Sequence, residues 1–354
     1  MLRPSNIFIR NLEASEYFEV FLVSAVSSIL LIRLFLRLTG YPQIGNSNLH
    51  IAHLLWGGLL MLISILILLF FLSRRIEWWA ALIGGIGFGT FIDEVGKFVT
   101  QDNDYFFQPA VAIMYVIFIL IYVAVHTIQT RWSYTKREYL INAIEGLKEI
   151  ALRDLDEGEK KRAVDYLNRS DPADPLVIST KNMLLNTRAA AIPRPGAYAR
   201  LKVFLNKLYL AVIGKRAFAA TVITIFLLKF VVTTSAVIFY IFFIGLGWTS
   251  IINSSVFDHV EKTFQNISFV DGAEIVSSLV SGIFVFIGIY YIKKSKLVAY
   301  QMFERSILIS IFLTQVFIFY QKEFAALVGL SINILFLLVI KFMIEREKSE
   351  AKIV

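Results

Sequence analysis

The chain contains no cysteine. That absence removes disulfide staples, thiolate metal sites and cysteine nucleophiles together. Also missing is the apolar–polar alternation of a transmembrane barrel. The apolar runs are continuous, so the barrel class is excluded. Charge is scarce: Asp, Glu, Lys and Arg make up 18% of the residues, against 57% hydrophobic ones, and the mean hydropathy is +0.67. A soluble fold of 354 residues could not cover so much apolar side chain.

What is present is a series of long apolar runs. Stretches of about 18 or more such residues read as spanning helices. Eight occur, near 17–38, 50–73, 78–99, 109–130, 217–245, 273–292, 297–319 and 324–343. The expected fold is all-α: a polytopic membrane protein with eight transmembrane helices. The first sixteen residues are polar and the first run is long enough to span, so it reads as a retained helix rather than a cleaved signal.

Loop charges set the expected orientation. Arg3, Arg10, Arg74, Arg75, the stretch from Arg131 to Arg216, Lys293, Lys294, Lys296, Lys341, Arg346, Lys348 and Lys352 fall on one side, while Lys97, Lys262 and Lys322 fall on the other. Positive-inside places the first set, with both termini, in the cytoplasm of a cell that carries the protein in its plasma (inner) membrane. The net charge of +8 then reflects cytoplasmic loops and implies no nucleic-acid partner.

Three regions follow. Residues 1–130 carry four spans, 131–216 form a cytoplasmic insert, and 217–354 carry four more. This 4+4 layout permits a parallel repeat, although the halves share little sequence. In the insert, Leu140, Ile141, Ile144, Leu147 and Ile150 recur at helical spacing, and a second helix should include Ala163, Val164 and Leu167 and stop near Pro172 and Pro175. "IPRPG" at 192–196 reads as a linker. Leu201, Phe204, Leu205 and Leu208, flanked by Arg200, Lys202 and Lys207, suit a helix lying on the inner leaflet.

Ionisable groups converge at the outer ends of the first spans. Arg33 and Arg37 share a face near the end of span one, His50 and His53 a face at the start of span two, and Asp93, Glu94 and Lys97 close span three. Asp102, Asp104 and Tyr105 follow, and Gln108 begins span four. Two chemistries fit this set. His50, His53, Asp93 and Glu94 could hold a divalent metal such as zinc. Alternatively a histidine acts as general base beside Asp93, Glu94 or Asp104, while Arg33 and Arg37, with Lys97 and Tyr105, bind phosphate. A plain structural reading also exists: Asp93 and Lys97 pair at i,i+4, and Arg37 neutralises Glu94. Gly84, Gly85, Gly87 and Gly89 should allow close helix packing, with Gly57 and Gly58 at the same contact. They are no nucleotide fingerprint, since no strand precedes them.

Over residues 48–110 the chain resembles VanZ-like membrane proteins. "HIAHLLWGGLL" supplies the family's span-initial histidine as His53, "GFGTFIDEVGK" the glutamate that ends a glycine-rich run as Glu94, and "DNDYFF" the following aspartate as Asp104. Lys97 stands where that family has glutamine, and the usual arginine and asparagine of the later loop are missing. The resemblance implies a helical membrane core with a polar, lipid-facing cavity that works on lipid head groups or cell-wall lipid intermediates.

The second half is poorer in chemistry. Lys229 lies about 18 Å along its helix from the start, with Glu304 as its expected partner and Arg305 competing. Gln315 and Asn333 should bond between helices. Asp258, His259 and Glu261 read as ordinary loop charge or as a cap on the ionisable cluster, His126 as structural, and Asn253 and Asn266 as chance glycosylation triplets. The leading expectation is an integral membrane enzyme acting on phospholipid or lipid-linked phosphate head groups, with membrane lipids as its partners. The alternatives are a transporter or channel using Lys229 and a scaffold acting through the insert.

Overall fold

Helices make up nearly all regular structure in the computed structural model, which describes residues 8–40, 45–46, 49–50, 53–99, 107, 109–130, 133–152, 155–189, 196, 200–205, 207, 211, 221, 223–228, 230–231, 235, 238 and 268–353. Among these, five helical segments are long and apolar enough to cross a membrane. Contacts divide the chain into two units, residues 1–105 with 117–195, and residues 106–116 with 196–354.

The first unit begins with α1 (Ala14–Thr39), α2 (His53–Phe70), α3 (Arg74–Ile92) and the short α4 (Val95–Val99), followed by α5 (Ala110–Thr130), whose start belongs to the second unit. A two-residue antiparallel ladder, Gly45–Asn46 with Leu49–His50, lies between α1 and α2. The third helix packs against both α1 and α2, and its glycines are divided between the two contacts. A Cβ at Gly85 would lie 2.3 Å from the Phe21 carbonyl oxygen, and one at Gly89 2.2 Å from that of Ala25, both on α1. A Cβ at Gly87 would meet the Gly57 carbonyl of α2 at 2.8 Å, and one at Gly84 would meet Ser64 Oγ at 2.8 Å. Spacings of three and four thus give α3 two smooth grooves, and backbones approach where larger residues would hold them apart. Gly57 joins this contact as expected. Gly58 does not: it faces open space, because the next residue along a helix points about 100° away.

The insert is helical, with α6 (Lys136–Glu145), α7 (Leu147–Ala151), α8 (Glu157–Asn168) and α9 (Pro175–Asn186). Capping boxes start α6, from Thr135 and Glu138, and α8, from Asp156 and Glu159. The single periodic stretch over 140–150 is two helices, broken at Gly146. Pro175 does more than stop α8. It occupies the first position of α9, where its missing N–H costs nothing, and Asp174 caps that helix. Leu140, Ala143, Leu155, Ala163, Leu167, Val177 and Leu184 form the insert's core. Residues 200–205 are helical with Leu201, Phe204 and Leu205 exposed. Leu208 and most of the linker at 192–196 lie outside the described residues.

The insert is tied to one end of α1 and α3. Arg10 donates from Nε to Glu138 Oε1 at 2.8 Å and from Nη2 to Oε2 at 3.0 Å, and also reaches the carbonyls of Ile128 and Ser133. Arg74, at the start of α3, pairs with Glu13 and Glu159. Lys148 joins Glu77 at 3.1 Å to Glu145 at 2.6 Å. The buried Glu149 carboxylate accepts from the Arg74 backbone N–H, one of the donors a helix start leaves unpaired.

In the second unit, α10 (Phe269–Tyr291) packs against α11 (Lys296–Ile309). The latter continues through a π-helical turn, Ser310–Thr314, into α12 (Gln315–Lys322). Glu323, at φ +46°, turns the chain through a short 3₁₀ segment into α13 (Ala326–Ile353). Phe226, Phe303, Ile307, Val285, Val339 and Ile340 centre the core, and Gly288 makes room for the Phe303 ring. Gln315 and Asn333 bond between helices as expected: Gln315 Nε2 donates to the Ala326 carbonyl at 2.8 Å, and Asn333 Nδ2 to Ser310 Oγ at 3.2 Å. Most of the expected span at 217–245 lies outside the described residues, Lys229 included.

Two predictions follow from this packing. Gly89→Val drives its side chain into the α1 backbone and should destabilise the protein by about 1–3 kcal/mol in detergent-based unfolding, whereas Gly58→Ala, facing open space inside a helix, should stabilise it by about 0.4–1 kcal/mol. At the other end, the Arg10 guanidinium holds Glu138 down to about 2, from an ordinary value of 4.5. The stabilisation is present above pH 4.5 and is lost as pH falls towards 2. Protection of the α6 amides relative to their intrinsic exchange rates should therefore fall over that interval, and Glu138→Gln should flatten the dependence.

Candidate functional site

The sequence "FIDEVGK" would run on as helix by propensity alone. Instead α3 stops at Ile92, Asp93 and Glu94 form a turn, and one further helical turn follows as α4. The two carboxylates are drawn to different neighbours. Asp93 Oδ1 accepts from Arg33 Nε of α1 at 2.6 Å, and Arg33 Nη2 donates to the Asp93 backbone carbonyl at 3.1 Å. A cation thus sits on the carbonyl end of α3, where the helix dipole favours it. Glu94 Oε2 accepts from the Leu54 backbone N–H at 2.9 Å. That donor belongs to the first turn of α2, so a carboxylate meets the positive end of a helix.

His53, the first residue of α2, lies between the two acids. Its Nε2 is 3.2 Å from Asp93 Oδ2, and its Nδ1 is 3.4 Å from Glu94 Oε1. Lys97 Nζ donates to Glu94 Oε1 at 2.5 Å. Both carboxylate side chains are 0% exposed, while Arg33 is 18%, Lys97 23% and His53 27% exposed. The acids form the floor and the nitrogen groups form the rim. With a neutral imidazole, two carboxylates, one guanidinium and one ammonium sum to zero charge, which is the condition for burying such a cluster.

Two sequence expectations change in detail. Lys97 pairs with Glu94 rather than Asp93, because the break after Ile92 replaces the i,i+4 geometry by i,i+3. Arg33, not Arg37, supplies the guanidinium, and it goes to Asp93. Arg37, one turn further along α1, is exposed. The expected convergence of Arg33, His53, Asp93, Glu94 and Lys97 holds. The His50 side chain and residues Asp102, Asp104, Tyr105 and Gln108 lie outside the described residues, as do Asp258, His259, Glu261, Asn253 and Asn266. His126 stacks on Tyr122. The Leu54 N–H is a functional donor that side-chain types could not reveal, since it is backbone.

Among the described residues, no three His, Asp or Glu side chains form a group that could hold a metal ion. The donors explain why. Asp93 and Glu94 spend carboxylate oxygens on Arg33, Lys97 and the Leu54 N–H, and a divalent ion would have to displace two cations to reach them. The described donor set therefore does not fit zinc.

Asp93→Asn should leave Arg33 without its charged partner, and losing one member of a buried ion pair costs about 3–5 kcal/mol. Double substitution of Arg33→Met with Asp93→Asn should recover part of that loss, and a thermal-unfolding double-mutant cycle measures the difference. A comparison of the chain with family models, curated proteins and solved structures finds no match.

Proposed function

We propose that this protein is an eight-span plasma-membrane protein with both termini cytoplasmic, acting on phospholipid or lipid-linked phosphate head groups at an outward-facing polar site, by hydrolysis or head-group transfer. One observation carries the reading. The acids are wholly buried, and the part-exposed groups around them are the nitrogen side chains of Arg33, His53 and Lys97. Such a rim repels cations and attracts phosphate oxygens, for which guanidinium and ammonium are the ordinary recognition groups. The topology is supported by placement. The basic insert and Arg10 gather at the end of α1 and α3 that carries Arg74, opposite the end that carries Arg33 and Asp93, as positive-inside requires of a site on the outer face.

In this reading Arg33 and Lys97 bind the phosphate, and exposed Arg37 extends the same positive surface. His53 moves the proton, accepting it from an attacking hydroxyl or water and returning it to the leaving group. Asp93 orients the ring through Nε2, and Glu94 faces Nδ1. The likeness to VanZ-like proteins supports the same reading, since two of the three positions it matches, His53 and Glu94, are neighbours 3.4 Å apart, the third, Asp104, lying outside the described residues.

The test is turnover of phosphatidylglycerol, phosphatidylethanolamine and polyprenyl phosphates in proteoliposomes. His53→Ala should lower the rate by about 10²–10⁴-fold, with the melting temperature retained, and Glu94→Gln should lower it as well. Turnover unchanged by both substitutions, or no turnover of any of these lipids by the unaltered protein, overturns the reading.

A further inference from the structure

The C-terminal unit holds a second polar site, unrelated to the one above. A cavity of about 150 Å³ is lined by Glu274 and Ser278 of α10, Ser310 and Thr314 of the π turn, Gln315 of α12 and Asn333 of α13. Liquid water takes about 30 Å³ per molecule, so the space corresponds to a few waters or an ion with part of its hydration shell.

Its hydrogen-bonding groups are lopsided. The two amide side chains, Asn333 and Gln315, are committed as donors to Ser310 Oγ and the Ala326 carbonyl. Bonding of Nε2 to a carbonyl fixes the Gln315 amide, so its oxygen is the atom left over. Gln315 is completely buried and Thr314 nearly so, yet Gln315 Oε1 and Thr314 Oγ1 have no protein partner. The half-buried Glu274 carboxylate lines the same space, with Lys322 nearby but not in an ion pair with it. Orphaned polar atoms in a buried site are costly, and here they are an amide oxygen, which can only accept, and a hydroxyl whose lone pairs can also accept, beside a carboxylate that Gln321 already hydrogen-bonds. The backbone is irregular at this point as well. The π turn shifts the hydrogen-bond ladder, and the Ile311 carbonyl accepts from the Tyr115 hydroxyl at 2.7 Å. Such turns recur at functional sites, and irregular backbone at membrane depth is tolerated where it lines a polar cavity.

We propose that this cavity is a sodium-ion site in which Glu274, Thr314 Oγ1 and Gln315 Oε1 coordinate the cation, with Ser278 and retained water completing the shell. Oxygen ligands of this kind select hard cations. One carboxylate neutralises one positive charge, whereas a divalent ion would leave a net charge in an apolar bundle. The ion adds a tie among α10, the π turn and α12, beside the direct hydrogen bond from Gln321 Nε2 to Asp271 Oδ1 at 2.7 Å.

The test is 22Na+ binding to the purified full-length protein, with thermal unfolding followed in sodium, potassium and choline chloride at equal ionic strength. The unaltered protein should bind 22Na+ saturably and melt higher in sodium than in choline. Thr314→Val, close to isosteric, and Glu274→Gln should each weaken binding at least tenfold while melting in choline as the unaltered protein does. His53→Ala should bind sodium normally, which separates this site from the phosphate site. No sodium-specific binding or stabilisation would show a cavity that holds water alone, and binding unaffected by both substitutions would place the ion elsewhere. Either result overturns the proposal. If Thr314→Val alone fails to fold, Glu274→Gln decides it.

Discussion

Two adjacent carboxylates with no exposed surface, Asp93 and Glu94, are the constraint on which the first unit is built. Side by side in a low-dielectric setting they repel each other, and neither can remain ionised without compensation. The fold answers by sending them apart. Asp93 takes Arg33 from α1, and Glu94 takes the start of α2 together with Lys97. Each acid thereby fastens α3 to a different helix. The break between Ile92 and Val95 falls at this same pair of acids.

This arrangement needs short distances, and the glycines supply them. Gly85 and Gly89 bring α1 close to α3, and Gly57, Gly84 and Gly87 do so for α2. Arg33 lies beyond Phe21 and Ala25 on the same helix, so the approach at those glycines sets its reach to Asp93. The opposite end of α3 is fastened differently, by Glu149 accepting the Arg74 N–H and by Arg74 pairing with Glu13 and Glu159. One helix thus carries the candidate site at its carbonyl end and the insert at its amide end. A change in how the insert holds Arg74 has a rigid element along which to be felt.

Much of the site was legible because ionisable groups near membrane-type helices are expensive and therefore conspicuous. His53, Asp93, Glu94, Arg33 and Lys97 stood out in the sequence by that rule. The pairing among them was not legible. It depends on where α3 stops, and the one breaker in "FIDEVGK", Gly96, lies inside α4 rather than at the stop. The face of a glycine is a matter of 100° per residue, so Gly57 and Gly58 could not be told apart without the neighbouring helix. Pro175 was ambiguous for a related reason, since proline both ends one helix and begins the next. The π turn was hidden because a one-residue slip leaves no trace in a run as apolar as "SILISIFLTQVFIF".

The two units handle buried polarity in opposite ways, and the difference bears on what each can bind. In the first, each buried acid is matched by a cation, and the part-exposed groups are nitrogen side chains, which is the ground for proposing a ligand that brings negative charge. In the second, the amide donors are used internally while Gln315 Oε1 and Thr314 Oγ1 remain as acceptors beside Glu274. A ligand there must bring donors or positive charge. The same accounting of donors, acceptors and charge, applied to each unit by itself, underlies the proposal of an anion at one and of a cation at the other. Neither assignment borrows support from the other, since no residue is shared between them.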